Sequence, residues 1–371
     1  MITHHIYHQD WRPPHCPNPD CKFHNDLPEP WPCKRIGFFY RKAAPHRIRR
    51  FLCKHCRVSF SSQTFSTTYY LKRPDILPQL MTKTVGCMAN RQIATDLKVS
   101  PTTIDNQLNR LGRHCLLFHE QVRQRMSPSR VIAVDGFESF ELSQYFPFHF
   151  HLAVDCRTGM FLHFTDSPLR RKGSMTARQK ARRQELEAQF GRPDPRAVRR
   201  DMQELLETVT RKASAVTIRS DAHKSYPPAI RAVESAWKVI RHEVTSSRDR
   251  RDRHNALYEI NLLDLLLRHG SGNHKRETIA WSKRRQGAAL RLAVFLVWRN
   301  YVRPRWTKKC GETPAMQAGL FGGRLTVGGI LSGRLFVSKV GLEGRWREYY
   351  WGEVETPALG VNRRHELKRA A

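Results

Sequence analysis

Four cysteines near the start of the chain constrain its fold more than any other feature. Cys16 and Cys21 are separated by four residues, and Cys53 and Cys56 by two. Paired cysteines in tight turns each present two sulfurs, which suits a tetrahedral thiolate site for a structural zinc ion. The stretch between the pairs, CKRIGFFYRKAAPHRIRRFLCKHC, alternates as a β-hairpin does, so residues 1–72 are expected to form a small zinc ribbon. Cys33, His15, His24 and His55 are substitute ligands, and Cys33 could displace Cys16 or Cys21. No general base stands beside the set, so the site is expected to be closed and structural. Five of the nine cysteines lie in the first 56 residues, too uneven a distribution for a disulfide scaffold in a chain of 371 residues. Cys87, Cys115, Cys156 and Cys310 are scattered and are expected to be small buried residues.

Lys and Arg total 65 against 33 acidic residues, a formal charge of +32. Such an excess opposes compaction by self-repulsion unless a polyanion absorbs it. DNA and RNA are the obvious partners and an anionic membrane surface is the other; double-stranded DNA becomes the expectation with the motifs below. The longest apolar run, LRLAVFLVW at 290–298, is well short of the roughly 20 residues of a membrane span, so no membrane partner is expected. The opening MITHHIYHQD lacks the apolar stretch of a leader, and a cytoplasmic, nucleoid-associated location is the expectation.

Residues 73–128 read as an all-α helix-turn-helix domain, within NRQIATDLKVSPTTIDNQLNRLGRH (90–114). Ile93 and Leu97 share one face; Ile104, Leu108 and Leu111 share another. Ser100 followed by Pro101 is an N-cap with proline at the first helical position. Thr102, Thr103, Asn106, Gln107, Asn109 and Arg110 are then candidates to reach base edges in a groove.

From residue 129 the pattern turns to strands. VIAVDGF (131–137), HFHLAVD (149–155) and MFLHFTD (160–166) suit a three-stranded meander. A charged stretch at 170–212 reads as two helices broken at Gly191, Pro193 and Pro195, inserted before strands at 215–220 and 238–244. Helices are expected at about 255–268 and 280–301. This is the order of an α/β, mixed-sheet, RNase H-like catalytic domain over 129–305, followed by a basic region at 306–371 that hints at small strands. In that order Asp135, Asp221 and an acid on the helix after the fifth strand would converge. Converging carboxylates need counter-charge, which two Mg²⁺ or Mn²⁺ ions supply in phosphodiester cleavage. Glu259 is taken as the third acid and Glu277 as its rival. Asp264 is a further candidate, between Leu263 and Leu265, which say little about its direction. Asp155 and Asp166 read as ordinary strand-end residues, Asp155 in DCRTG as turn chemistry.

With ribbon, helix-turn-helix and acid triad in this order, the chain resembles bacterial insertion-sequence transposases of the DDE class over residues 15–305. RFLCKHCRVSFSSQTFSTTYYLKRPD (50–75) resembles their ribbon end and linker. RETIAWSKRR (276–285) resembles the basic stretch that follows the catalytic helix in small two-frame elements. There the catalytic Glu precedes that stretch with an Asn nearby, which favours Glu259 beside Asn255; the position matching Glu277 is not acidic. The spacing of Asn255 and the charged insert at 170–212 depart from the pattern. The resemblance implies metal-dependent cleavage at element ends, attack of the freed 3′-OH on target DNA, and a homodimer or larger assembly on paired ends. It also implies that Lys283, Arg284 and Arg285 hold backbone phosphate. The alternatives are a zinc-ribbon and helix-turn-helix regulator, a catalytically decayed derivative, and an RNase H-like nuclease that cuts without joining.

Overall fold

The computed structural model describes residues 7–363 apart from 9, 27, 29, 247, 276–277 and 307–310. At the N-terminal end, helix α1 (Lys22–Asn25) directly follows Cys21, and strands β1 (Cys33–Tyr40), β2 (Arg47–Cys53) and β3 (Ser59–Ser61) form an antiparallel sheet. Trp31, Phe51, Phe60 and Phe65 give this small unit its own core, and Phe336 from far along the chain packs against it. An aromatic core of this size cannot stabilise a ribbon alone, which is why small units of this kind depend on metal or on neighbours.

Three helices follow: α2 (Ile76–Val85), α3 (Asn90–Asp96) and α4 (Pro101–Arg123). The Ser100 hydroxyl accepts from the Thr103 backbone N–H, with Pro101 at the first helical position, so the cap read from the sequence forms. Helix α4 runs well beyond the turn. Its second half buries Leu111, Cys115, Leu116 and Val122. It crosses α9 (Arg285–Val297) so closely that a Cβ at Gly112 would lie 2.6 Å from the Leu290 backbone oxygen. Helix α9 contains most of the apolar run of the sequence and is buried on every side, as expected for a central core helix. Among the described residues, no helix is long and apolar enough to cross a membrane.

Strands β4 (Val131–Phe140), β5 (Pro147–Asp155) and β6 (Phe161–Pro168) form the expected meander. Strands β7 (Ala215–Ser220) and β8 (Val239–Val244) add in parallel, giving the order β6-β5-β4-β7-β8. Helices α5 (Ala177–Phe190) and α6 (Ala197–Thr210) precede β7, α7 (Tyr226–Val233) joins β7 to β8, and α8 (Tyr258–Gly270) follows β8. This is the RNase H-like order expected.

One expectation needs correction here. The 170–212 stretch is not wholly an insert, because the parallel pairing of β4 with β7 requires a crossover, and α6 provides it. Helix α6 packs on β5, β6 and α7 and buries Met202, Leu205 and Leu206. Helix α5 is the added piece: its one buried residue is Leu186.

The small strands expected in 306–371 are also absent among the described residues. Short helices stand there instead: α10 (Pro314–Gln317), α11 (Val327–Ile330), α12 (Val337–Val340) and α13 (Gly344–Trp351). Their Ile330, Leu331, Trp346 and Tyr349 join one continuous core that runs from Ile76 to Val354. Side chains from this segment, from α4 and from the end of α9 also satisfy the outer edge of the sheet. The Trp346 indole donates to the Phe164 carbonyl, His119 Nε2 donates to Leu162, and Asn300 pairs with both backbone groups of Phe161. An edge strand sealed by side chains is no longer a template for pairing with another chain.

Candidate active site and zinc centre

The four ribbon cysteines come together. Cys16 and Cys56 sulfurs lie 3.6 Å apart, Cys21 and Cys53 sulfurs 3.8 Å, and all four lie within 4.8 Å of one another. A tetrahedron with zinc–sulfur bonds of about 2.3 Å has sulfur–sulfur edges of about 3.8 Å, so the set fits zinc. Burial holds the Cys16 and Cys21 thiols above their usual range, a cost that a bound cation would reverse. Cys33 lies across from Cys53 in the β1–β2 ladder but outside the set, with burial pushing its thiol up to about 12. His15 and His24 serve the loop instead: both Nδ1–H groups donate to the Cys16 carbonyl, at 2.9 and 2.7 Å. His55 Nδ1 stands 3.5 Å from the Cys21 sulfur.

The sheet explains why Asp135 and Asp221 are neighbours. Strands β4 and β7 pair in parallel with Val131 beside Thr217 and Ala133 beside Arg219. Carrying that register two residues further brings Asp135 level with Asp221, on chains about 4.8 Å apart. Asp135 shares the face of Phe137, where the Arg268 guanidinium of α8 lies 4.4 Å from the ring, so Asp135 faces α8. Burial, and then the nearby Asp221, raise the Asp135 carboxyl to about 6, although the Gly136 N–H donates to it at 2.7 Å. Asp221 accepts from the His223 backbone at 3.0 Å.

The third acid brought to this pair is Asp264. Burial, then Asp135, hold its carboxyl far above the usual range, and one of its buried oxygens has no hydrogen-bond partner. All three aspartates act on the buried Tyr226, raising its phenol after the effect of burial itself. Arg251 eases the charge on both Asp135 and Asp264. Among the described residues, only the cysteines form a set as close as 4.8 Å. An orphaned buried carboxylate oxygen on Asp264, beside Asp135 and Asp221, is a donor set that fits divalent cations.

Glu259 points elsewhere. In the first turn of α8, it forms an ion pair at 2.6 Å with Arg305, with both side chains about one-tenth exposed. Its other oxygen packs against the β5–β6 turn, 2.7 Å from where a Cβ on Gly159 would be. Asn255 shapes the turn before α8 by accepting from Leu257 N–H at 2.8 Å. Glu277 lies outside the described residues. Asp155 accepts from both Thr158 donors, as its turn motif predicts. Asp166 is fully buried, bound by Arg285 at 3.0 Å, Arg345 at 3.4 Å and the Tyr349 hydroxyl.

Sequence reasoning missed three groups around the aspartates, Tyr226, His223 and Arg251, and His149 on the other face of β4. A Cβ at Gly136 would come within 2.9 Å of His149 Nδ1 and 3.2 Å of the Tyr226 hydroxyl. Burial, then His223 and Lys172, lower His149 to about 4, so it is neutral at physiological pH. The 9 residues from Thr245 to Arg253 hold four arginines, and that density was the available pointer to Arg251.

The expected DNA contacts divide. Thr102 and Asn106 are exposed, and Thr103 is half-buried beside the Ser100 cap. Gln107 is buried with its amide donating to the Arg73 carbonyl, and Arg110 is spent on the carbonyls of Thr67 and Tyr69. Neither is free to reach a base. Arg285 is buried against Asp166, and Arg284 holds the carbonyls of Leu359 and Gly360, so neither is a free phosphate ligand. Lys283 remains exposed, over the Trp281 ring.

No protein-family model and no curated protein matches the sequence. Among solved structures, similarity is found to a magnesium complex of the HTLV-2 integrase catalytic core domain, at 13% identity and TM-score 0.22, covering 52% of this chain and 95% of that one. The BIV integrase catalytic core follows at 16% identity and TM-score 0.24, covering 51% and 92%. A simian T-cell lymphotropic virus intasome matches at 14% and 0.23, covering 62% and 70%. At these scores the likenesses carry no weight, and the fold assignment rests on the strand order and pairing described above.

Proposed function

We propose that this chain is a DNA transposase of the DDE type, with Asp135, Asp221 and Asp264 as its acids. The observation that carries the reading is geometric: the β4–β7 register brings Asp135 level with Asp221, and α8, which faces Asp135, carries the buried Asp264 with an unpartnered oxygen. Such acids have no structural reason to be neighbours, since Asp221 adds to the cost of ionising Asp135, and Asp135 to that of Asp264. When bound, a pair of Mg²⁺ or Mn²⁺ ions supplies activation of a water or 3′-OH and neutralisation of the leaving oxygen. The protein's own part is to hold the acids on rigid elements: Asp135 by the Gly136 N–H, Asp221 by the His223 N–H, and Asp264 on a helix packed against β4 and β5. Arg251 moderates the charge. The ribbon and the exposed end of α4, with Thr102 and Asn106, would read the element ends, and Lys283 would meet phosphate.

The test is strand cleavage and strand transfer on duplexes taken from the DNA adjoining the gene, with Mg²⁺ or Mn²⁺. Asp135→Asn, Asp221→Asn and Asp264→Asn are each expected to lose cleavage by about a thousand-fold or more, the scale of removing preorganised charge stabilisation from a reacting phosphate. Full activity in all three variants would falsify the assignment. Cleavage without joining would assign the site to a nuclease, and specific binding without cleavage to a regulator.

A further inference from the structure

Between the ribbon sheet and the segment that leaves it lies a cleft of about 820 Å³, which the chemistry proposed above does not use. Its size falls in the range of about 300–1,000 Å³ typical of sites for small organic ligands. Two of its aromatic walls face solvent: Phe39 is 36% exposed and Tyr70 is 73% exposed. Tyr69 backs Tyr70, with ring centroids 4.3 Å apart. Lys42, Arg50 and Lys72 stand exposed around the same cleft, and no acidic side chain lines it.

Tyr70 is the telling residue. Its φ is 56°, in the left-handed region that a side chain disfavours. The conformation closes the turn in which the Leu71 N–H donates to the Thr68 carbonyl at 3.0 Å, and it leaves a large ring facing water at the mouth of the cleft.

We propose that this cleft takes an unpaired segment of DNA, with bases stacking on Tyr70 and Phe39 and phosphates held by Lys42, Arg50 and Lys72. Exposed rings flanked only by cations match a base with a free face and a phosphate on each side. In a duplex the base faces are already covered by their neighbours, so the rings select an unpaired strand. The inference rests on the DNA reading above for the identity of the polymer.

The experiment uses the full-length, zinc-loaded chain without Mg²⁺ or Mn²⁺, so no cleavage occurs. Two labelled probes are compared: a blunt duplex, and the same duplex with a short single-stranded overhang carrying 2-aminopurine. The overhang is expected to tighten binding by about ten-fold or more and to change the 2-aminopurine fluorescence on stacking. Tyr70→Ala and Phe39→Ala should remove both effects and leave blunt-duplex affinity intact, whereas Tyr70→Phe should keep them. Lys72→Ala should weaken the overhang gain and flatten its salt dependence. Zinc content and thermal unfolding verify that each variant is folded. If the overhang gives no gain, or the gain survives Tyr70→Ala, the cleft assignment is overturned while blunt-duplex binding still stands. If neither probe binds, the DNA reading falls with it.

Discussion

Asp264 and Glu259 are five residues apart on one helix, and helix geometry sends them to different places. Five residues advance about 7.5 Å along the axis and turn about 140° around it. Glu259 therefore stays at the β5–β6 turn with Arg305, while Asp264 rises to the level of Asp135. The two acids should then separate in experiment. Asp264→Asn is expected to abolish Mn²⁺-dependent cleavage with little loss of stability. Glu259→Gln should keep cleavage but cost about 3–5 kcal/mol, because it leaves Arg305 and the neighbouring Arg299 buried without a full countercharge. Cleavage rates beside urea unfolding of both variants decide it, and the reverse pattern would return Glu259 to the site. Asp135 makes a second, signed prediction. Its carboxyl, raised to about 6, binds its proton more tightly folded than unfolded, so stability falls as pH rises from about 4 to about 6. That gap corresponds to about 2–3 kcal/mol between protonation states. Asp135→Asn should therefore melt higher than the parent at neutral pH without Mg²⁺, while losing cleavage. A melting temperature that is lower, or unchanged across that pH window, would contradict the burial and repulsion described here.

At the scale of elements, the N-terminal sheet has its own aromatic core, which Phe336 completes, and a cysteine set suited to zinc. Cys53→Ser should lose the single zinc per chain and the order of β1–β3, whereas Cys33→Ser should retain the zinc; metal content of the purified variants measures both. Which parts of the chain could be read in advance follows from how local their causes are. Cysteine spacing, the Ser100–Pro101 cap and the break at Gly191 act within a few residues, and each is visible in the linear pattern. Residues whose partners lie far along the chain were misread. Arg285 looks like a phosphate ligand until Asp166 arrives from β6, and Arg110 looks like a base reader until the Thr67 and Tyr69 carbonyls reach it. Helix α6 was expected, but its place in the core was legible and overlooked: Val198, Met202 and Leu205 recur at helical spacing beneath its charged outer face. Asp264 carried the same cue, lying on one face with Ile260 and Leu267, where a polar residue marks either a fault or a function. The Arg285 correction is itself testable. Arg285→Ala should destabilise the chain by about 3 kcal/mol by leaving the buried Asp166 with Arg345 and the Tyr349 hydroxyl alone, while Lys283→Ala, at an exposed position, should leave unfolding unchanged.

Across the whole molecule, the charge balance of +32 falls largely on the surface. Many of the acids are consumed internally. Asp166 and Asp201 lie beneath Arg345, Glu187 is wrapped by Arg170, Arg183 and Arg192, and Glu259 is held by Arg305. What remains outward is largely Lys and Arg, including the cleft cations and the exposed loop before α8. Mutual repulsion among these groups opposes the folded state and attracts a polyanion at the same time. Salt should therefore act on the two properties with opposite sign. Raising NaCl screens repulsion within a Debye length of about 10 Å at 0.1 M, so the melting temperature should climb by a few degrees. The same salt competes with released counterions, so duplex affinity should fall by about ten-fold or more between 50 and 200 mM. Thermal unfolding and anisotropy titrations across one salt series check both arms. A melting temperature that falls with salt would mean that the surface cations are already neutralised within the fold, leaving no net repulsion for DNA to relieve.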